Sequence, residues 1–320
     1  MPNIEISQLR VFLAAAEEKN FSAAAKRLHL SQSAVSQNIQ ALEKAYGVEL
    51  FIRRGRSVEL SEEGESILPT AREVINAARL LEDSLQNVNN EVGGELIIGC
   101  STSAGKYLMP TLLSQFQRKY SAVLPRVKIM GRGQVFERLL NETIPMGITS
   151  KKLDHRNLES VPLFEDHVIL ITHPDHPWAE YGRAMPADLA DQPIIVRENT
   201  SGTCEVVIEG LKAFDTTMDM LNIAMELGNA EAIEMSVEQG VGIAFVSEMV
   251  AARGLAMGRI KKVEIEGLNL RRTVYMARNI NRPFTRAQSL FWDFAQSQYE
   301  NLNTDIWQSL VNFATPANIC

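Results

Sequence analysis

The sequence has few cysteines and no long apolar run. Only Cys100, Cys204 and Cys320 occur among 320 residues, too few and too scattered for a disulfide framework, so we expect free thiols and a reducing compartment. No stretch approaches the roughly 18 consecutive apolar residues that cross a bilayer. The opening "MPNIEISQLR" lacks the basic lead and apolar core of a secretory signal. These absences argue against a secreted or membrane-spanning protein and predict a cytoplasmic one.

The sequence also lacks a strong excess of basic charge. The net charge is −7, and the first 60 residues hold eight Lys or Arg against six Asp or Glu, a local +2 that leaves −9 for the remainder. Only the first 60 residues are therefore suited to bind a polyanion such as DNA. A net charge of +2 is by itself weak evidence for nucleic-acid binding. With 45% hydrophobic residues, a chain of this length can bury more than one core, so we expect two or three folded units.

Three short amphipathic helices are predicted at the front end. Apolar residues at helical spacing follow Ser7, a good N-cap, which predicts a first helix over residues 8–18. We expect Ser22 to cap a second helix and Ser31 to cap a third, with only the tight turn "LHLS" between them. Two helices joined by such a turn form a helix-turn-helix, whose second helix can enter the major groove of B-form DNA.

The outward face of the third helix carries serine and glutamine where a helix surface usually carries Lys and Glu. Its inward stripe is Val35, Ile39 and Leu42. Glutamine pairs with the N6 and N7 edge of adenine, and serine can donate or accept a hydrogen bond, so this face suits sequence reading. The alternative is an ordinary polar helix surface. The predicted DNA-contacting residues of this helix are Gln32, Ser33, Ser36, Gln37 and Gln40.

The stretch "VELFIRRGRSVELS" predicts two short strands around an Arg-Gly-Arg tip, the form of a wing. Arg53, Arg54 and Arg56 place three cations on this hairpin beside the reading helix. Such cations suit phosphate contacts, which fix the register on DNA without reading its sequence. A solvated hairpin is the alternative.

Residues 9–65 resemble the winged helix-turn-helix of LysR-type transcriptional regulators. The elements "F-S-x-A-A", "L-x-x-S-Q", "S-x-x-I-x-x-L-E", "G-x-x-L-F-x-R" and "L-S-x-x-G" occur there in order. The resemblance implies a sequence-specific transcriptional regulator with double-stranded operator DNA and RNA polymerase as partners. Ser33 stands where proline is common in that family and Gln37 where arginine is common, which bears on the base preference.

A long helix is predicted after Ser61, which caps it ahead of two acidic residues. Apolar residues then alternate spacings of four and three, the pattern of an a/d seam: Ile67, Ala71, Val74, Ala78, Leu81, Leu85 and Val88. Roughly 29 helical residues span about 43 Å, which suits a stalk between subunits. The predicted dimerisation residues are Val74, Ala78, Leu81 and Leu85. In the resembled family this helix pairs two subunits, which implies a homodimer or homotetramer.

Strand and helix patterns alternate after this helix, which predicts an α/β unit with a mostly parallel sheet. The stretches "VPLFEDHVILITHPDHPWA" and "EAIEMSVEQGVGIAFVS" are similar to LysR-type effector domains and imply the two-lobed fold of periplasmic solute-binding proteins. The predicted domains are a winged helix-turn-helix over 1–60, a linker helix over 61–91, an effector domain over 92–302 and a tail over 303–320. We expect lobe I at about 92–163 and 268–302 and lobe II at about 164–267, with the chain crossing near 162–166 and 264–272.

Hydroxyl-rich segments occur where predicted strands of both lobes turn into helices. "CSTSAGKYLMP" holds one such segment and "RENTSGTCE" the other. Helix N-termini bind anions through their backbone N–H groups, so the pair predicts a small anionic effector held between the lobes. The predicted effector-binding residues are Ser101, Thr102, Ser103, Arg132, Thr200, Ser201 and Thr203. The two strings look most like LysR-type regulators of carbon-fixation and sulfur-assimilation genes.

Other interpretations start from the same sequence. Cys100 and Cys204 fall beside the hydroxyl-rich segments, and a thiol at a helix N-terminus can have a lowered pKa, which leaves open a thiol-based redox-responsive regulator beside inert packing. A cytoplasmic solute-binding module is the alternative from another class, and residues 1–60 argue against it. His167, His173 and His176 suggest metal ligands, but no further Cys or His completes a tetrahedral set. No nucleophile elbow, P-loop or dinucleotide fingerprint occurs, so we expect no metal, no cofactor and no enzymatic activity.

Overall fold

The computed structural model of the protein describes residues 3–54, 57–86, 92–199 and 201–299. The chain divides into two compact units, residues 1–93 with 282–286 and residues 94–281 with 287–320. Among the described residues, no helix is both long enough and apolar enough to cross a bilayer. The boundaries of the four domains given above stay predictions.

Three helices form the core of the first unit. Helix α1 spans Ile6–Glu18, α2 spans Phe21–Leu28 and α3 spans Gln32–Tyr46. Their apolar stripes meet in one buried cluster, in which Phe12 and Val35 are 0% exposed and Ile39 is 2% exposed. The predicted helix-turn-helix is confirmed.

Two of the three helix starts differ from the prediction. Helix α1 begins at Ile6 rather than at residue 8, so Ser7 lies within its first turn instead of capping it. Asn20, not Ser22, caps α2, because the extended backbone of Asn20 lets its Oδ1 accept from the N–H groups of Ser22 and Ala23 at 2.8 and 3.0 Å. Ser22 is therefore already inside the first turn, where it cannot act as the cap.

A hairpin and a long helix complete this unit. Strands β1 (Phe51–Arg54) and β2 (Ser57–Leu60) pair in antiparallel register, and helix α4 follows over Glu62–Gln86. The Ser61 hydroxyl accepts the Gly64 N–H at 2.9 Å, so Ser61 caps α4 as predicted. The wing prediction is confirmed in its strands.

Helix α4 carries two neighbouring apolar faces. Ala71 and Ile75 are each 4% exposed and belong to the core of the first unit. The predicted dimerisation residues are more open, with Val74 40%, Leu81 62% and Leu85 65% exposed and Ala78 half-buried. The predicted seam is therefore divided, since Ala71 packs on its own unit, and Val88 lies outside the described residues.

The second unit is built on one mixed sheet. Its strands are β3 (Gly94–Cys100), β4 (Val123–Ile129), β5 (Met146–Thr149), β6 (Leu158–Thr172), β7 (Arg183–Ala184), β8 (Ile194–Arg197), β9 (Ile223–Leu227), β10 (Ile243–Ser247), β11 (Lys261–Ile265) and β12 (Leu270–Asn279). Their order is β4-β3-β5-β12-β6-β10-β8-β9, with β11 beside β6 and β7 beside β11. Strand β3 runs parallel to β4 and β5, and β8 runs parallel to β9 and β10. Each end of the sheet is thus a parallel cluster.

Helices cover both faces of this sheet. They are a π-helical turn (Ala104–Leu108), α5 (Met109–Lys119), α6 (Arg132–Leu140), α7 (Pro177–Tyr181), α8 (Gly202–Leu211), α9 (Ala230–Glu238), α10 (Glu248–Ala256) and α11 (Arg286–Ser297), with 3₁₀ turns at Pro186–Asp191, Lys212–Phe214 and Met218–Met220. Lobe I holds β3 to β5 with α5 and α6, and lobe II holds β7 to β11 with α7 to α10. Separate apolar clusters form the core of each lobe.

Two long antiparallel strands carry the chain between the lobes. Strands β6 and β12 pair from Leu270 opposite Val168 to Asn279 opposite Leu158. The later part of β6 also pairs with β10, which places it in lobe II. The two-lobed fold is confirmed, but the second crossing lies on β12 rather than starting at residue 264, because residues 261–265 form β11 within lobe II.

Candidate functional site

A cavity of about 430 Å³ lies between the two lobes of the second unit. It is lined at the carboxyl ends of β3, β4, β5 and β8, the edge where ligand sites of parallel sheets collect. Its polar lining residues are Ser101, Thr102, Ser103, Arg132, Gln134, Ser150, Arg197, Glu198, Ser201, Thr203 and Arg272. The cavity therefore brings together six of the seven predicted effector residues, and Thr200 lies outside the described residues.

Three helix starts converge on this cavity. One follows Ser101, a second begins at Arg132 and a third begins after Ser201. The first N–H groups of a helix have no partner within it, and the helix dipole adds positive potential there. Ser101 is an exception, because its N–H donates to the Ile148 carbonyl at 2.9 Å rather than facing the cleft.

Ser201 combines two functions at the start of α8. Its hydroxyl oxygen accepts the Cys204 N–H at 3.1 Å, the usual role of a helix cap. A hydroxyl can accept and donate at the same time, so its proton can still be donated into the cavity. Capping and ligand binding are thus compatible at this residue.

Arg272 forms the buried floor of the cavity. It is 8% exposed and lies directly opposite Asp166 on the paired strands β12 and β6. Its Nε and Nη2 are 2.8 and 2.7 Å from Asp166 Oδ2, and its Nη1 donates to Thr203 Oγ1 at 3.1 Å. Asp166 is 0% exposed and also accepts the Ser247 hydroxyl at 2.7 Å. This network holds both joining strands and α8 together.

Arg132 reaches across the cleft to α8. Its Nη1 and Nη2 donate to the two carboxylate oxygens of Glu205 at 2.7 and 2.5 Å, and Lys151 Nζ lies 3.7 Å from the same carboxylate. The hydrogen bond raises the pKa of Arg132 and lowers the pKa of Glu205. Because Arg132 and Lys151 belong to lobe I and Glu205 to lobe II, this cluster joins the lobes on one side of the cavity.

A second contact between the lobes involves Glu231 of α9. Lys106 Nζ and Tyr107 Oη both donate to Glu231 Oε1, at 2.8 and 3.0 Å. Lys106 is exposed, its charge is paired with Glu231, and it does not line the cavity.

Arg197 and Glu198 form the third charged pair of the cavity. Arg197 is 8% exposed, and its Nε and Nη2 donate to the two carboxylate oxygens of Glu198 at 2.8 and 2.7 Å. This pairing lowers the pKa of Glu198. The side chain of Glu198 is 34% exposed, so the carboxylate of this pair is the accessible partner.

The candidate DNA-reading face lies on α3 in the first unit. Gln32, Ser33, Gln37 and Gln40 are exposed and Ser36 is half-buried. The Ser31 hydroxyl accepts the Ala34 N–H at 3.1 Å and caps the helix as predicted. Arg53 and Arg54 lie on β1 without a described side chain, and Arg56 lies outside the described residues. The structure therefore leaves the reading face uncovered by its own unit.

Two family models match the chain in the order of its two units. Residues 6–65 match the bacterial regulatory helix-turn-helix protein of the lysR family, and residues 89–300 match the LysR substrate binding domain. The chain belongs to the LysR family. It is a LysR-type transcriptional regulator with a DNA-binding helix-turn-helix and an effector-binding domain.

Relatives of this regulator include proteins named for carbon fixation. A "Probable RuBisCO transcriptional regulator" of a Nostoc species is 31% identical over 295 residues, which cover 89% of this chain and 86% of the relative. The full-length LysR regulator CbnR, solved with its target DNA, is 25% identical with a TM-score of 0.64, covering 92% of this chain and 99% of CbnR. The regulatory domain of Synechocystis CcmR in complex with 2-PG is 25% identical with a TM-score of 0.60, covering 66% of this chain and all of that domain.

The structure adds Arg197 and Arg272, which the sequence interpretation missed. Strand alternation carries a signal for Arg272, because Leu270 and Val274 on the same face are buried whereas the neighbouring Arg271 is exposed. An arginine that alternates in step with buried apolar residues points to the same face of the strand, and it is therefore a candidate for a buried, ion-paired charge. Arg197 has a weaker signal, since it ends the apolar strand "IIVR" just before a hydroxyl-rich segment.

Both described cysteines are buried free thiols. Burial raises the pKa of Cys100 and of Cys204, and the nearby carboxylate of Glu198 adds to the effect at Cys204. A redox-sensing thiol needs a lowered pKa and access to solvent. The structure therefore disfavours the redox alternative and favours packing, and Cys320 lies outside the described residues.

Proposed function

We propose that this LysR-type regulator binds a small anion between its two lobes and that this anion controls its action on DNA. One observation carries the proposal, namely the convergence of three helix starts and three arginines on one cavity of about 430 Å³. The bound 2-PG of the CcmR regulatory domain supports it. The effector is an organic acid, a phosphorylated metabolite or an inorganic oxyanion.

Local donors, not long-range attraction, provide the binding energy. Residues 61–320 carry a net charge of −9, so no long-range attraction draws an anion to this part of the chain, and charges farther apart than a Debye length of about 8 Å are largely screened. Within the cavity, the hydroxyls of five residues donate, and the helix starts stabilise the charge: Ser101, Thr102, Ser103, Ser201 and Thr203. Arg132, Arg197 and Arg272 line the same cavity, each beside a carboxylate. Binding is thus expected to select for shape and hydrogen bonding at short range.

Ligand-dependent closure of the lobes supplies the regulatory signal. The anion contacts both lobes, so it binds better to the closed arrangement than to an open one. A ligand shifts a conformational equilibrium only by its preference for one state. We propose that closure changes the spacing of the reading helices in an oligomer and thereby the fit to two DNA half-sites.

We propose that the regulator assembles with copies of itself and acts on carbon-fixation genes in the cytoplasm. The exposed apolar residues of α4 support a homodimer or homotetramer, formed through Val74, Ala78, Leu81 and Leu85. The relative named for RuBisCO supports target genes of carbon fixation. RNA polymerase is the expected partner at promoters, and the cytoplasm is the expected location because operator DNA lies there.

Replacing Thr102 by valine is expected to weaken anion binding by about 1 to 3 kcal/mol, because valine keeps the shape but deletes one hydroxyl from the cavity. Calorimetric titration of the full-length protein with inorganic phosphate and with 2-PG measures the effect. Thr111→Val makes the same change on α5 outside the cavity and should bind both probes normally. An apolar or cationic ligand that both variants bind equally well would contradict the proposal.

Replacing Gln37 by alanine is expected to reduce discrimination between selected operator fragments and random DNA by about 1 to 3 kcal/mol, because an adenine-pairing amide is lost. Arg54→Ala is expected to weaken binding to both DNAs. The slope of log K against log salt concentration should fall by about one, because one phosphate contact is lost. Fluorescence anisotropy at several salt concentrations separates the two effects. Equal losses on both DNAs for both variants would show that the serine and glutamine face does not read bases.

A further inference from the structure

We infer that Glu198 is an internal competitor of the effector, whose carboxylate occupies the guanidinium of Arg197 until an effector carboxylate or phosphate displaces it. The inference rests on the anion cleft proposed above. It assigns to Glu198 a role in setting affinity and to Arg197 the role of the primary anion contact.

The geometry of the pair is that of a bound anion. Two parallel N–H donors of Arg197 meet the two carboxylate oxygens of Glu198 at 2.8 and 2.7 Å. This bidentate arrangement is the one that a guanidinium forms with carboxylates and phosphates in general. Both residues line the cavity, so the Glu198 carboxylate stands where an anionic ligand would bind.

A guanidinium of this cavity becomes available to a ligand when its carboxylate leaves. The three arginines of the cavity are each paired, Arg132 with Glu205, Arg197 with Glu198 and Arg272 with Asp166. An entering anion therefore finds each guanidinium already holding a carboxylate, and Lys151 beside Glu205 is an additional cation. Releasing one carboxylate into solvent restores one positive charge for the ligand.

Glu198 is the carboxylate that leaves with the least disruption. Asp166 is 0% exposed and held by Ser247 as well as by Arg272, so its release would leave an unpaired buried charge. Release of Glu205 would break the Arg132 contact that joins the lobes. Glu198 is 34% exposed on its side chain and bonds the residue next to it, so no contact between lobes is lost.

The backbone at Glu198 can stay in place during this exchange. The Ser201 N–H donates to the Glu198 carbonyl at 2.9 Å, which fixes the turn that leads into α8. Only the side chain has to rotate towards solvent. The helix start that faces the ligand is therefore unchanged by displacement.

The competition has a measurable size. When a binding-competent state is populated only in part, the apparent affinity falls by that fraction. If Glu198 occupies Arg197 about nine-tenths of the time, its removal tightens anion binding about tenfold. Glu198→Gln keeps the length of the side chain and removes its charge, so it is the direct test.

Titration of full-length protein with inorganic phosphate and with 2-PG compares four variants with the wild type. We expect Glu198→Gln to bind both probes about tenfold more tightly. Glu209→Gln removes the same charge from the exposed side of α8, where Glu209 pairs with Lys212, and should bind as the wild type does. In Arg197→Met, and in that variant combined with Glu198→Gln, binding should be weak and equal, because the gain requires the guanidinium.

The outcomes separate this inference from the proposed function. Unchanged or weaker binding in Glu198→Gln, beside normal binding in the wild type, would overturn the inference and leave the anion cleft intact. An equal gain in Glu209→Gln, or a gain that persists with Arg197→Met, would reduce the effect to general repulsion and overturn it too. Absence of binding of both probes to the wild type and to Glu198→Gln alike would reject the anion cleft itself.

Discussion

Replacing Leu81 by aspartate is expected to dissociate the oligomer. Leu81 is 62% exposed and lies one turn from Leu85, which is 65% exposed, on a helix face that its own unit leaves open. If a second copy covers this face, the aspartate buries an unpaired charge there, which costs about 3 to 5 kcal/mol. Sedimentation velocity should show the monomer, and cooperative binding to paired half-sites should disappear with it.

A charge on a neighbouring surface of the same helix serves as the control. Ser84→Asp introduces the same charge on an exposed side chain of α4 outside the predicted seam. This variant should sediment as the wild type does and bind paired half-sites normally. An unchanged oligomer in Leu81→Asp would show that α4 is not the seam.

The spacing of apolar residues in α4 does not decide which face of the helix packs on the first unit. The sequence places Val74 in the a/d pattern, yet Ile75 beside it is the residue buried in the first unit, at 4% exposure. Consecutive residues of a helix point about 100° apart, so Val74 and Ile75 lie on neighbouring faces, of which one is open and the other packs on the first unit. Spacing alone predicts an apolar stripe, but not which part packs on the first unit.

Local features were predictable where the interaction is local. Helix α3 follows from a cap, a buried stripe and a polar face within 15 residues, and all three are confirmed. The cap of α2 was misassigned because Asn20 and Ser22 are both good caps, and only the backbone conformation decides between them. The spacing of apolar residues is the same whichever of the two residues caps the helix, so it cannot distinguish them.

The helix starts that line the cleft can be predicted from the sequence. The ion pairs of its arginines cannot. Segments at strand ends can be located from sequence, since parallel strands bring their carboxyl ends to one edge. The pairing of Arg272 with Asp166 spans 106 residues and depends on the register of β6 with β12. Register follows from the packing of both strands, so the floor of the cavity required the structure.

Replacing Gly202 by alanine is expected to weaken anion binding about 10- to 100-fold. A Cβ at this position, the first residue of α8, would overlap the Ser150 Oγ of the opposite lobe and lie 3.2 Å from both Ser150 Cβ and Arg272 Nη1. Arg272 cannot yield, because Asp166 and Thr203 hold its guanidinium. Rotation of the Ser150 hydroxyl about χ1 relieves its own overlap, but the close contacts with Ser150 Cβ and Arg272 Nη1 remain and push the lobes apart by a few tenths of an ångström. Overpacking of this kind costs about 1 to 3 kcal/mol.

Two further variants decide whether the lost affinity comes from the contact between the added methyl group and the opposite lobe. Gly131→Ala adds a methyl group to the lining of the same cavity where nothing lies within 4 Å, so it should bind inorganic phosphate and 2-PG almost normally. Adding Ser150→Gly to Gly202→Ala removes the side chain that the new methyl group meets and should recover most of the affinity. Alanine favours a helix more than glycine does, so Gly202→Ala should not unfold α8. Normal anion binding by Gly202→Ala, measured by calorimetry, would mean that the cleft binds its ligand without close approach of Ser150 and α8.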